Sequence, residues 1–230
     1  MNKNRYLLIT LSFALFCITI VGFRPYPTPT LALIMKVIPD VMKKGTTSQW
    51  NTAIKSDQLS AGDQLKTGKN ALAVLKFLDK SIVRVRELSE ITIGSDAVGK
   101  LTKLVQLNGG TVGFDVKKQT NEQFRFTSPT SVASIRGTKG KWCGGRGNDT
   151  LVVNEGLVNL KNQTSNKDID VLAGYIGFSG QDGTLSSRPA TSQELADAEN
   201  AFTAESQNEL KLEMRDSNGN KKEMKIKYKQ

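Results

Sequence analysis

The residue types most able to do chemistry are concentrated in one glycine-rich stretch, between Arg136 and Arg146. A loop of this composition can bind phosphate when a helix begins directly behind it, because free backbone N–H groups then point at the anion. Here no Gly-Lys-Ser/Thr string and no helical pattern follow the stretch. The glycines are therefore better explained as corners between strands: Gly137, Gly140, Gly144, Gly145 and Gly147.

The two arginines that flank this stretch are the candidate partner-binding residues. Arg136 lies in the string Ile135-Arg136-Gly137-Thr138, where a guanidinium can hold neighbouring carbonyls or a carboxylate. We expect such a structural role for Arg136 first and a role in ligand binding second. Arg146 lies in the loop itself, so we expect it to be more exposed and able to contact an anionic partner.

The chain contains no histidine. This excludes histidine-based acid–base catalysis, activation of a serine or cysteine nucleophile by histidine, and metal sites that use imidazole. Most of the carboxylates lie beside turn residues, where capping of the turn is their commonest role. We therefore predict no catalytic residue, no cofactor and no metal, and we expect the protein not to be an enzyme.

The two cysteines are not expected to form a disulfide. Cys17 lies inside an apolar run, and Cys143 lies in a predicted turn from Trp142 to Gly145. Cys143 is either a reactive thiol or, in the interpretation that we prefer, a small residue in a tight corner.

The net charge of +10 could attract anionic lipid, lipopolysaccharide or nucleic acid. The lysines are dispersed, however, and aromatic residues make up only 7% of the chain. Nothing resembles a stacking platform or a basic recognition helix, so we do not expect nucleic-acid binding.

Residues 1–32 are predicted to be an export signal or a membrane anchor. Lys3 and Arg5 precede a mostly apolar run, residues 6–23, whose length approaches that of a membrane span. Cleavage after Thr30-Leu31-Ala32 would release a soluble protein, whereas retention would leave an anchor with the body outside the cytoplasm. We slightly favour cleavage. Any membrane contact is expected only through residues 6–23, if they are retained.

Residues 33–180 are predicted to form an all-β domain. Short apolar or alternating runs recur with turn residues every 8 to 12 positions or so, and no strand–helix alternation appears before Gly183. This pattern is typical of short stacked strands, in a β-solenoid or a sandwich. The predicted strands include residues 33–38, 72–77, 82–86, 91–93, 104–107, 111–116, 123–127, 130–135 and 150–153.

Residues 190–230 are predicted to form a short helix and a β-hairpin. Thr191 and Glu194 make a capping box, followed by Leu195, Ala198 and Phe202 on one helical face. For the hairpin we choose a three-residue loop, Asn218 to Asn220, because it sets apolar residues opposite each other. The predicted pairs are Met214 with Met224, Leu212 with Ile226 and Leu210 with Tyr228. This apolar face should pack on the body or mark a partner surface.

Several strings resemble, in order, the elements of the FecR domain family. Ser128-Pro-Thr-Ser-Val-Ala-Ser-Ile-Arg-Gly-Thr138 is similar to the family's "TPTxxAxxRGT", and Leu151-Val-Val-Asn-Glu-Gly-Leu-Val158 to its "VxVxEGxV". Phe77-Leu-Asp79-Lys80-Ser81 resembles "FxDGS", with Lys80 in place of glycine, which predicts a different type of turn there. Together with weaker strings, the likeness covers residues 33–177.

The resemblance implies a stacked all-β domain in the envelope of a Gram-negative bacterium, one that binds or senses and does not catalyse. Only Met1 to Arg5 precede the apolar run, which argues against the family's cytoplasmic anti-sigma segment. We therefore expect an exported module in the periplasm or outer envelope that binds a protein or a polysaccharide. The alternative is a membrane-anchored accessory component of an iron-uptake type of signalling system.

Overall fold

The structure is a computed structural model that describes residues 29–96, 102–118, 123–145, 147–203, 208–215 and 221–228. It contains nineteen strands and one helix in these residues. The strands are β1 Thr30–Ile38, β2 Val41–Lys44, β3 Asn51–Thr52, β4 Gln58–Ser60, β5 Gln64–Thr67, β6 Leu72–Phe77, β7 Ile82–Val85, β8 Glu90–Asp96, β9 Thr102–Val116, β10 Gln123–Thr127, β11 Ser131–Ile135, β12 Thr138–Gly144, β13 Asp149–Glu155, β14 Leu157–Asn162, β15 Asp168–Leu172, β16 Tyr175–Ser179, β17 Leu185–Pro189, β18 Asn208–Arg215 and β19 Lys221–Tyr228; the helix is α1, Ser192–Thr203.

The first seventeen strands form two sheets joined through β9. The first sheet has the order β4-β1-β6-β7-β9-β12-β13-β16-β17, and the second has the order β3-β2-β5-β8-β9-β10-β11-β14-β15. Among these ladders only the pairing of β9 with β10 is parallel. The predicted all-β domain of short stacked strands, with a short C-terminal helix and a hairpin, is confirmed.

The core lies between the two sheets, because its aromatic contacts cross from one sheet to the other. Phe77 on β6 meets Phe124 on β10 with ring centroids 4.9 Å apart. Phe126, on the second sheet, meets Phe114 at 5.2 Å and Trp142 at 5.7 Å, both on the first sheet. Such offset or edge-to-face aromatic pairs add to the free energy gained by burying apolar area. The arrangement is a sandwich, one of the two forms that the strand pattern predicted.

Two details of the strand prediction need correction. Residues 104–107 and 111–116 were predicted as separate strands, whereas they belong to one strand, β9, which passes from the second sheet to the first at Gly110 (φ 112°). Cys143 was predicted in a turn, but it lies in β12 between Thr111 and Thr150 of the neighbouring strands. Its thiol is free, and the Thr111 hydroxyl donates a hydrogen bond to it (3.2 Å).

The turn after β6 keeps a left-handed residue although it lacks the glycine of the family pattern. Lys80 adopts φ 70° with its side chain exposed, so the predicted change of turn type does not follow from the missing glycine. Asp79 explains how the turn is held. Its carboxylate accepts hydrogen bonds from the Ser81 backbone and hydroxyl (both 2.9 Å), and it pairs with Lys103 (2.9 Å).

Helix α1 begins at the predicted capping box. The Thr191 N–H donates to the Glu194 carboxylate (2.8 Å), and the Glu194 N–H donates to the Thr191 hydroxyl (3.2 Å). The Arg188 guanidinium, foremost, and the Thr191 backbone hold the pKa of Glu194 at about 2. The buried face of the helix includes Ala198 and Phe202, as predicted.

The helix packs on the outer face of the first sheet. A side chain at Gly113 on β9 would come within 2.1 Å of the Ala201 carbonyl oxygen, so the glycine lets the helix backbone approach the sheet. The outer face of the second sheet carries no helix among the described residues. Within those residues, no helix is long and apolar enough to span a membrane.

The predicted register of the C-terminal hairpin is wrong. Met214 pairs with Lys222 and Glu213 with Glu223, a shift of two residues from the predicted Met214–Met224 pair. The observed register still sets Leu212 opposite Met224 and Leu210 opposite Ile226. Both registers therefore place apolar residues opposite each other, so this criterion alone cannot identify the correct register. The residues between Arg215 and Lys221, which include the predicted loop, lie outside the described residues. Packing of the hairpin's apolar face stays a prediction.

Candidate binding surface

The two FecR-like strings lie side by side at the centre of the sandwich. The first string contributes β11 and the start of β12, and the second contributes β13 and β14. The turn Arg136–Gly137 carries the chain from the second sheet to the first, and we call this end of the sandwich the Arg136 end. Since β12 spans seven residues, the turn after it lies roughly 20 Å away, at the far end.

At the far end, the polar residues of the first string are used for structure. Asp149 is buried, and its carboxylate accepts hydrogen bonds from the Ser128 and Ser131 hydroxyls and one from the Gly145 N–H (3.0 Å). Ser128 in turn accepts hydrogen bonds from the N–H groups of Thr130 (3.0 Å) and Ser131 (2.9 Å). The hydrogen bonds of this cluster connect the turn before β11 to the turn before β13.

The same cluster explains the glycine-rich loop. A side chain at Gly144 would lie 2.0 Å from a carboxylate oxygen of Asp149, so glycine is required there by close packing. Because a carboxylate occupies the inside of the loop, an anion would be repelled from that position. In the part of the chain that the structure describes, no three acidic, cysteine or histidine side chains are grouped to hold a metal ion.

At the Arg136 end, the turns of the two strings pack against each other. The Thr138 hydroxyl donates a hydrogen bond to the Leu157 carbonyl (3.0 Å). A side chain at Gly156 (φ 88°) would lie 2.5 Å from the Gly137 carbonyl oxygen. The glycine of the second string is thus needed for its close contact with the first, and this contact helps to fix the backbone of the turn that carries Arg136.

The preferred interpretation of Arg136, a structural fork, is wrong. The residue is exposed, and its guanidinium makes no hydrogen bond or ion pair with any residue that the structure describes. The turn is held by the Thr138 hydroxyl and by glycine packing, so it does not need the guanidinium. The second interpretation, binding of a ligand by Arg136, stays a prediction.

Three exposed apolar side chains lie at the same end of the sandwich. Leu157 (42% exposed) pairs directly with Leu172 (50%) across β14 and β15, and Tyr175 (36%) begins the next strand. We call Arg136, Leu157, Leu172 and Tyr175 the Arg136 patch. Sequence reasoning missed these three because their proximity depends on the register of β14 with β15, although the alternation in each strand was readable.

Charges beside the patch are partly paired. Lys139 forms an ion pair with Glu155 (2.8 Å), and this hydrogen bond raises the pKa of the lysine. Both side chains are partly exposed, so the pair contributes little to stability. Among the described residues, the pair neutralises one cation and one anion at this end, whereas the guanidinium of Arg136 has no such partner.

The second predicted arginine, Arg146, lies outside the described residues. Its described neighbours Gly145 and Gly147 are at the far end, whereas Arg136 is at the opposite end of β12. The role of Arg146 in binding stays a prediction.

Residues 63–159 match the family model described as FecR protein, and the chain therefore carries a FecR domain. The match includes Asp79, Asp149 and Arg136, and it runs from the turn before β5 into β14. This confirms the resemblance of the sequence strings within residues 63–159. No curated protein matches the chain.

Two solved structures share the fold of the sandwich. Both are of a candidate anti-sigma factor from Parabacteroides distasonis, at 2.50 and 1.65 Å resolution. Each aligns with a TM-score of 0.51 at 11% identity, over 58% of this chain and 62% of that one. The chain thus spans less than two thirds of that protein, and the likeness shows the fold alone.

Proposed function

We propose that the protein is an exported, non-enzymatic module of a bacterial cell envelope that binds another envelope component through the Arg136 patch. The observation that carries this proposal is Arg136 itself, an exposed guanidinium in the FecR motif that is unpaired among the described residues. Exposed Leu157, Leu172 and Tyr175 beside it supply apolar area. Arginine and tyrosine are enriched among the residues that dominate binding energy at protein interfaces.

The expected partner is a protein or a polysaccharide, and the patch favours a protein. An apolar pair such as Leu157 and Leu172 gains free energy when another apolar surface covers it. The guanidinium can form a bidentate pair with a partner carboxylate at the edge of that contact. A polysaccharide offers fewer groups that match both features.

The proposed export rests on the basic residues and apolar run that precede β1. The burial of the first residues of β1 argues against cleavage after Ala32. Cleavage after Ala32 would remove Thr30 to Ala32 from β1, although Leu31 and Ala32 are buried and Ala32 pairs with Leu59 and Phe77. We therefore propose, against our slight preference from the sequence, that the segment is retained as an anchor in the inner membrane.

We expect N-terminal sequencing of the protein from the envelope fraction to find Met1 or Asn2 as the first residue. The reason is that the strand residues just before Leu33 belong to the core. Recovery of a chain that begins at Leu33 would contradict retention but not export. Recovery of the body in the cytosol would contradict export as well.

The binding surface can be tested by photocrosslinking in cells. A benzoylphenylalanine residue replaces Leu172 (50% exposed) in the patch and, as a matched control, the similarly exposed Leu88 (58%) at the far end. We expect a discrete adduct in the envelope from position 172 and none from position 88. The same adducts from both positions, or no adduct from position 172, would contradict the proposed surface.

The second candidate function is that of an accessory component of a transmembrane signalling system. The FecR match of residues 63–159 is the observation that favours it. In that case the adduct from position 172 should be a receptor or a signalling protein. A sigma factor and an outer-membrane receptor encoded next to this chain would support this alternative.

A further inference from the structure

One corner of the Arg136 end combines an exposed leucine with lysines, next to the point where the described chain begins. We propose that this corner, formed by Leu78, Lys80, Lys117 and Lys118, rests on the anionic phospholipid surface of the membrane. The inference goes beyond the proposed function, which concerns the neighbouring Arg136 patch. It also goes beyond the expectation that membrane contact is confined to residues 6–23.

The four side chains are held close together by the fold. Leu78 and Lys80 lie in the turn between β6 and β7, and Lys117 and Lys118 directly follow β9. The Lys117 N–H donates a hydrogen bond to the Ser81 hydroxyl (3.0 Å), which joins the two segments. The ladders place both segments at the same end, because Ile82 pairs with Asp115 at the start of β7.

The exposure and charge of the corner suit a lipid surface. Leu78 is 70% exposed, and the three lysines are exposed as well. Lys117 pairs with Asp115 (3.1 Å), whereas Lys80 and Lys118 form no ion pair within the described residues. Amphipathic helices that lie at the boundary of headgroups and acyl chains combine apolar side chains and lysine in the same way.

The chain leads away from the sandwich at this same corner. Ala32 in β1 pairs with Phe77, the residue directly before Leu78. Six residues, 24–29, separate the apolar run of residues 6–23 from Thr30. An extended chain covers about 3.5 Å per residue, so Thr30 can lie no more than about 25 Å from the end of that run. An anchor formed by residues 6–23 would thus hold this corner, and not the far end, near the bilayer.

The contact is expected to need anionic headgroups. A lysine close to a negatively charged bilayer strengthens association by about 1 kcal/mol, which is roughly fivefold for each residue. Lys80 and Lys118 supply two such unpaired charges, and Leu78 can insert between headgroups. Phosphatidylglycerol should therefore support the contact, and a zwitterionic bilayer should support it weakly.

The full chain, reconstituted in vesicles, provides the test. Leu78→Trp reports contact at the corner, and Leu88→Trp is the matched control at the far end. With acyl-brominated phosphatidylglycerol in the vesicles, we expect added quenching of tryptophan fluorescence for Leu78→Trp over the wild-type chain and none for Leu88→Trp. With brominated phosphatidylcholine the added quenching at position 78 should fall severalfold.

Charge variants make the test specific. In the Leu78→Trp background, Lys80→Glu together with Lys118→Glu should abolish most of the added quenching, and Lys69→Glu at the far end should not. Equal quenching at positions 78 and 88 would overturn the proposal. So would quenching at position 78 that Lys80→Glu together with Lys118→Glu leaves unchanged. So would shielding of the tryptophan from acrylamide without lipid, which would assign the corner to a protein partner. Loss of the adduct at position 172 would contradict the proposed function alone.

Discussion

Replacing the carboxylate at the far end of the sandwich, Asp149→Ala, is expected to lower the free energy of unfolding by about 3–5 kcal/mol. Hydrogen bonds to a charged group contribute about 1.5–3 kcal/mol each, and buried donors left without an acceptor add to the loss. The change would leave the Ser128 and Ser131 hydroxyls and the Gly145 N–H without their acceptor. Urea denaturation followed by circular dichroism measures the effect.

Asp168→Ala is the matched control for that measurement. Asp168 is exposed and accepts one hydrogen bond from Asn159 (2.9 Å). Its removal should change stability by no more than about 0.5 kcal/mol. Similar small effects of both substitutions would show that the buried cluster does not hold the turns together.

Removing the cation of the buried ion pair, Lys103→Met, should cost about 3–5 kcal/mol of stability. The side chains of Lys103 and Asp79 are only 8% and 6% exposed, so the carboxylate would stay buried without its counter-charge. Asp79 also holds the turn that carries Leu78 and Lys80, which makes local loosening of that turn the expected structural consequence. Urea denaturation again measures the stability.

Two further variants separate the charge from the packing. Asp79→Asn combined with Lys103→Met should recover much of the loss, because no uncompensated charge remains. Lys139→Met breaks the exposed pair with Glu155 and should cost less than about 1 kcal/mol. If the double variant were as unstable as the sum of its single variants, the pair would not be coupled.

Much of the sandwich follows from the alternation of apolar residues along the chain. The predicted strands at 72–77 and 123–127 have the bounds that the structure gives them, and residues 33–38 lie within β1. Each is bounded by turn residues such as Pro39 and Asp79, which signal where a strand stops. The capping box located the helix for the same kind of local reason.

The errors arose where distant parts of the chain decide the outcome. Asn108-Gly109-Gly110 suggests a turn, but its bend only moves β9 from one sheet to the other. The register of the hairpin was chosen from cross-strand pairs that are worth roughly 0.2–1 kcal/mol each, but the observed register also sets Leu212 and Leu210 opposite apolar residues. Residue patterns cannot resolve two registers that both keep the apolar residues on one face.

The site was harder to predict than the fold. A structural or binding role for Arg136 could be inferred from its motif. Its exposure, however, depends on how Gly156 packs against the turn. The apolar members of the patch come from strands β14 to β16, and the ladders β11–β14–β15 and β12–β13–β16 bring them to the end of the sandwich where Arg136 lies. The buried role of Asp149 likewise depends on two loops meeting at the far end.

The most direct test of binding through the Arg136 patch is the effect of Arg136 on the photocrosslink from position 172. We expect Arg136→Glu to lower the yield of the adduct about tenfold or more, since losing an interfacial guanidinium and placing a like charge before a partner carboxylate both weaken binding. Lys69→Glu at the far end makes the same change of charge and should leave the yield unchanged. Equal yields from the wild-type chain and Arg136→Glu would contradict the account.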